Sequence, residues 1–263
     1  MSEERIEIEE IKPVHYNAKA MMFVLLLGSF LVLFNETILN VAFPKLMVEM
    51  HVSATTVQWL TTGYVLVVGI LVPVTAFLMH TFTTKKLYIG AISLFLLGTI
   101  CAVFSNSFTS LLISRLIQAL GTGMLIPIMM NSALIITPPE KHGSVMGICV
   151  SILTLGPALG PTVSGLLLQS FSWHSLFILL IPFLVICIIS SFLFLTNTSV
   201  ITNPKIDFLS IALSCKGFAG TIYAVSSAGS LSLLSTIIIF AIWLIALVCY
   251  CRRQLSLKQP ILE

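Results

Sequence analysis

The chain has 263 residues, of which 57% are apolar and only 9% charged, against about 25% charged in an ordinary soluble domain. Its mean hydropathy is +1.08, and apolar runs recur along nearly the whole length, which excludes a soluble globular protein and points to the membrane class. The net charge of +3 is small, so its placement carries more information than its size.

An acidic stretch (Glu3, Glu4, Glu7, Glu9, Glu10) precedes the first apolar run. A secretory signal starts basic, so residues 1–19 read as a solvated cytoplasmic tail. A transmembrane helix needs about 20 mostly apolar residues. On that rule the sequence predicts spans at 20–42, 56–79, 87–106, 108–132, 143–168, 174–196, 207–227 and 231–251. The expected fold is therefore an all-α integral membrane protein of about eight transmembrane helices, with a cytoplasmic linker at 197–206 and a cytoplasmic end at 252–263. The runs are long and do not alternate, which favours helices over barrel strands.

Lysine and arginine set the orientation. With the N-terminus inside, the inner segments hold Arg5, Lys12, Lys19, Lys85, Lys86, Lys141, Lys205, Arg252, Arg253 and Lys258, and the outer ones only Lys45. Both ends are thus expected in the cytoplasm. Trp59, Trp173 and Tyr250 fall near span ends and read as interfacial anchors. The six cysteines form no C-x-x-C and read as small apolar packing residues. Nucleotide P-loop, zincin and hydrolase-elbow patterns do not occur. Neither a metal nor a nucleic-acid partner is expected, and any pumping would draw on an ion gradient or another subunit.

Charge at bilayer depth costs about 2.5–3.5 kcal/mol on insertion scales, so each case invites a functional reading. Glu36 lies roughly 24 Å from the cytoplasmic end of the first span, and Arg115 roughly 10 Å from the outer end of the fourth. In a hydrocarbon layer about 30 Å thick these are similar outer-leaflet depths. They are expected in one polar network facing a central cavity, with Glu36 binding and releasing a proton under the influence of Arg115 and Gln118. Gln118 and Thr122 follow Arg115 by three and seven residues and share its helix face. The alternative is that Arg115 merely braces the first span or snorkels outward. Lys216, roughly 14 Å into the seventh span, is too deep for easy escape to water. It reads as a neutral lysine or one paired across a cavity. His174 reads as a wetted structural histidine. Met129, Met130 and Met146 could line an adaptable greasy pocket or simply pack.

In the fifth span Gly156, Gly160 and Ser164 recur every four residues and share one face, so another helix backbone can approach closely. Pro157 and Pro161 each remove a backbone donor and are expected to bend the helix, as a hinge or a tight seal. The full stretch, Gly156-Pro157-Ala158-Leu159-Gly160-Pro161-Thr162-Val163-Ser164-Gly165, resembles the antiporter motif of the major facilitator superfamily. The version here is similar to the fourteen-helix drug:proton antiporters, close to the lincomycin-resistance type.

Three other stretches carry the same resemblance. Residues 35–44, from Asn35 through Asn40 to Pro44, resemble the first-helix signature D-x-T-x-x-N-x-A-L-P. Residues 115–123, from Arg115 through Gln118 to Gly123, resemble the fourth-helix signature R-x-x-Q-G-x-G. Asp207-Phe208-Leu209-Ser210 resembles the start of the seventh helix. Two departures stand out. The first-helix Asp of the family falls on Asn35, with the carboxylate one residue later at Glu36. The acid of the loop after the second span is replaced by His80, leaving only its basic end at Lys85.

The resemblance implies that 20–196 form the N-terminal half of a facilitator fold, built from two inverted three-helix repeats, and that 207–251 are two inserted helices. It implies a plasma-membrane exporter of amphipathic drugs in exchange for protons, with no cofactor beyond the proton gradient. A family member continues through six more helices, so a C-terminal half is expected to be missing. The rival readings are a truncated, non-transporting membrane fragment or membrane-embedded partner, and an integral membrane enzyme, for which no polar catalytic cluster is evident.

Overall fold

The computed structural model describes residues 17–197, 208–226 and 233–256. Among these, six helices are long and apolar enough to cross a membrane. In chain order the elements are α1 (Ala18–Val41), α2 (Phe43–Glu49), α3 (Ala54–Val57), α4 (Trp59–Thr81), α5 (Thr84–Val103), α6 (Phe108–Ile135), α7 (His142–Ser170), α8 (His174–Phe194), α9 (Phe208–Ser226) and α10 (Leu233–Ser256). The first six expected spans correspond to α1, α3–α4, α5, α6, α7 and α8. Residues 207–227 and 231–251 contain α9 and α10. Asp207 lies outside the described residues.

Local chemistry sets the helix ends. Asn17 caps α1 by accepting from the Ala20 N–H at 3.2 Å. Ser107 accepts from the Ser110 N–H while the Ser110 hydroxyl accepts from the Ser107 N–H, a reciprocal capping box that starts α6. The segment after α1, expected as plain punctuation, folds into α2, because Pro44 sits in its first turn, where a missing donor costs nothing. The second span begins with the short α3, capped by Ser53, and restarts after Gln58 as α4.

In the bundle, α1 packs against α6, α7 and α8, while α6 packs against α1, α4 and α5. Helix α5 also touches α8, and α9 lies between α4 and α10. Large apolar side chains remain exposed on the outside, among them Ile186, Ile189 and Leu193 on α8. A face of this kind is stable against hydrocarbon and not against water.

Two expected anchors sit elsewhere. Trp59 is exposed, but Trp173 is 1% exposed and Tyr250 is buried. Trp173 stacks on His174 with ring centroids 3.6 Å apart and meets Phe177 edge-on. It packs inside the bundle at the start of α8. His174 is half-buried and bonds the Ser105 carbonyl through Nε2 at 3.1 Å, a structural tie between α8 and the α5–α6 turn. Cys149 and Cys187 are buried free thiols. Met129 is fully buried in the core, with Met130 and Met146 half-buried against it.

Candidate functional site

Arg115 is fully buried in the N-terminal part of α6. Nothing in its surroundings leads it to water, so the snorkelling alternative does not hold. Its guanidinium lies over the Tyr64 ring of α4, 4.1 Å from the centroid, a cation–π contact strengthened by the dry setting. Nε donates to the Leu60 carbonyl at 3.4 Å, and Nη1 donates to Gln118 Oε1 at 2.9 Å.

Gln118 is the junction. Besides Arg115, its Oε1 accepts from Asn35 Nδ2 of α1 at 3.3 Å, and its Nε2 donates to Thr99 Oγ1 of α5 at 2.9 Å. Through one side chain, α6 is thereby joined to both α1 and α5. Thr122 extends the cluster by sharing a 2.6 Å hydrogen bond with Tyr64 Oη. Close helix approach makes the meeting of Gln118 and Thr99 geometrically feasible. A Cβ on Gly98 would stand only 2.7 Å from the Gln118 nitrogen and 2.8 Å from the Ser114 carbonyl oxygen. Only glycine lets α5 come this near α6.

Two atoms of the cluster lack partners, Arg115 Nη2 and Asn35 Oδ1. A donor and an acceptor thus stay open on either side of Gln118 Oε1, in a core where unpaired polar atoms are costly.

Asn35 occupies the junction because α1 turns its 35th position towards α6. Glu36 comes next, about 100° further round the helix. The strip of α1 carrying Leu33, Phe34 and Thr37 faces α7, so Glu36 falls in the sector between the two contacts. It is half-buried. Asn40 is exposed at the end of α1, where its Oδ1 accepts from Thr61 Oγ1 at 2.9 Å. It lies apart from the buried cluster. The sequence reading found Arg115, Gln118, Thr122 and Asn35 but missed Tyr64 and Thr99. Their signal was only that of polar groups inside apolar runs.

The glycine seam of α7 packs on α1. Gly156, Gly160 and Ser164 are buried, while Pro157 and Pro161 are exposed on the opposite side. A Cβ on Gly156 would lie 3.0 Å from the Phe34 nitrogen, and one on Gly160 would overlap the Thr37 side chain. The helix runs unbroken through both prolines. Gly165 stands outside the seam, with open space where its Cβ would be. Lys216 of α9 is exposed.

The described helices form a membrane-type bundle held by glycine seams, with a buried arginine–glutamine junction near the N-terminal end of α6. The chain belongs to the Major Facilitator Superfamily, whose family model matches residues 25–251. It is 43% identical over 252 residues to the lincomycin resistance protein LmrB of Bacillus subtilis (strain 168), covering 94% of this chain and 53% of that protein. It is 40% identical to the uncharacterized MFS-type transporter YcnB of the same strain, covering 97% of this chain and 54% of that one. The chain thus spans about half the length of the curated relatives it matches. Among solved structures, the human organic anion transporter MFSD10 aligns with a TM-score of 0.65 at 16% identity, over 81% of this chain and 56% of that one, a likeness of fold.

Proposed function

We propose that residues 20–196 form one six-helix half of a proton-coupled exporter of amphipathic drugs in the plasma membrane. In this reading α9 and α10 are two further spans, inserted after that half, and both ends of the chain face the cytoplasm. The ten-to-one lysine and arginine asymmetry supports the orientation. Identity to a relative named for lincomycin resistance supports the exporter class.

The observation that carries the mechanism is the position of Glu36. It is a half-buried carboxylate at outer-leaflet depth, and it is not enclosed in the junction that Asn35 occupies. Glu36 exchanges the proton. Arg115, held by Tyr64, Leu60 and Gln118, supplies the fixed charge that favours its ionised form. Protonation removes that attraction and loosens α1 from α6, so proton and drug occupancy bias one rocking equilibrium. Moving one charge across the membrane is worth about 2.3 kcal/mol per 100 mV, enough for one or two protons to drive accumulation outside.

The test is drug uptake into inverted vesicles with an imposed pH gradient, comparing the protein with its Glu36→Gln variant. Loss of gradient-driven uptake, with drug binding retained, is expected. Undiminished pH-dependent uptake by the variant would remove Glu36 from the mechanism.

A further inference from the structure

A second site lies at the lysine-rich face of the bundle, far from the Arg115 junction. The N-terminus of α5 and the end of α8 line an open cavity of about 510 Å³, within the range of small-molecule pockets. Its polar side is made by Thr83, Lys85, Lys86 and Asn197, and its apolar side by Ile89, Gly90 and Phe192. Among the described residues the lining holds two cations and no carboxylate. Lys85 uses one of its three donors on the Phe192 carbonyl, at 2.7 Å, which ties the end of α8 to α5 and leaves two donors for a ligand. Thr83 Oγ1 is buried without a hydrogen-bond partner, and the first backbone N–H groups of α5 are the unsatisfied donors of any helix start. Gly90 is exposed at the cavity's edge, with nothing within 4 Å of where a Cβ would be. Ile89 and Gly90 of α5 and Phe192 of α8 place the cavity's apolar lining beside the two lysines.

We propose that this cavity binds one anionic phospholipid, with the phosphate at Lys85, Lys86 and Thr83 and an acyl chain along Gly90, Ile89 and Phe192. Basic pockets between membrane helices on the cytoplasmic side hold lipid headgroups in this way. The combination of two cations with an adjoining apolar lining selects a lipid over a free phosphate. The lack of a carboxylate selects an anionic headgroup over one that carries its own ammonium.

The test is native mass spectrometry of the full protein, titrated separately with phosphatidylglycerol, phosphatidylcholine and glycerol 3-phosphate. The protein should retain one phosphatidylglycerol at concentrations where the other two leave it bare. Lys85→Gln with Lys86→Gln should weaken that binding about thirtyfold, given the typical contribution of each lysine near an anionic surface. Gly90→Leu should weaken it comparably by crowding the apolar lining with both charges intact. If the double variant fails to fold, Gly90→Leu alone decides, since the added side chain enters open space. Equal retention of phosphatidylcholine would overturn the proposal. So would glycerol 3-phosphate binding as tightly as the lipid, or a folded variant that binds like the parent.

Discussion

Replacing Gln118 with Leu is the sharpest probe of the buried junction. The substitution keeps side-chain volume close and removes three hydrogen bonds, to Arg115, Asn35 and Thr99. In water-soluble proteins a hydrogen bond to a charged group is worth about 1.5–3 kcal/mol and a neutral one about 1 kcal/mol, which sums to roughly 4–5 kcal/mol. Membrane proteins give less, because polar groups find other partners in the unfolded bilayer state; interhelical bonds there average about 0.6 kcal/mol, with a maximum near 1.7. Two consequences of the geometry set the balance. Thr99 keeps its bond to the Phe95 carbonyl, so its loss is small. Arg115 Nη1 becomes unpaired beside an already unpaired Nη2, so its loss is at the upper end. The expected destabilisation is about 2–3 kcal/mol. Cys149 and Cys187 are buried, so a thiol-reactive fluorogenic dye reports unfolding as they open, and the variant should label at a distinctly lower temperature. Asn35→Ala should be partly redundant with Gln118→Leu, with the double variant less destabilised than the sum. A Gln118→Leu variant within about 0.5 kcal/mol of the parent, the range of neutral surface changes, would refute the claim that this side chain joins three helices.

The remaining expectations use the same assay. Tyr64→Phe keeps the ring under Arg115 and loses only the Thr122 bond, at a cost of about 1 kcal/mol. Tyr64→Leu also removes the cation–π contact and should cost at least about 2 kcal/mol more; equal effects would deny that the ring holds the charge. Gly160→Leu should push α7 off α1 and cost several kcal/mol, as overpacking does, whereas Gly165→Ala should be near neutral; similar melting of the two would contradict the seam. Tyr88→Phe should lose about 1 kcal/mol, because it breaks the 2.6 Å bond from Tyr88 Oη to the Val24 carbonyl that ties α5 to α1.

The helices were legible in the sequence because hydropathy is a bulk property that survives errors of a few residues at either end. The glycine seam was legible because four-residue spacing alone puts residues on one helix face. The junction was only half legible. Spacing along α6 showed that Arg115, Gln118 and Thr122 share a face, but not which helices that face meets. Tyr64 and Thr99 came from two other helices, at positions fixed by packing at Gly98 and by the rotation of α4. The sequence reading put Glu36 and Arg115 in one network because their depths match. Depth says nothing about azimuth, and the structure gives the hydrogen bond to Asn35 instead. Trp173 was misread for a related reason: closeness to a helix end suggests an interface, whereas the actual side chain turns inward under the α5–α6 turn.

The seam between α1 and α7 has a mechanical consequence. Where side chains interdigitate, a helix pair can slip by swapping rotamers. Where a helix rests directly on backbone, as Gly156 does on Phe34, few rotamers exist to absorb a slide. Helices α1 and α7 therefore travel as one stiff plate, and any rocking of the half-bundle concentrates its deformation in segments such as 136–141, at the foot of α7.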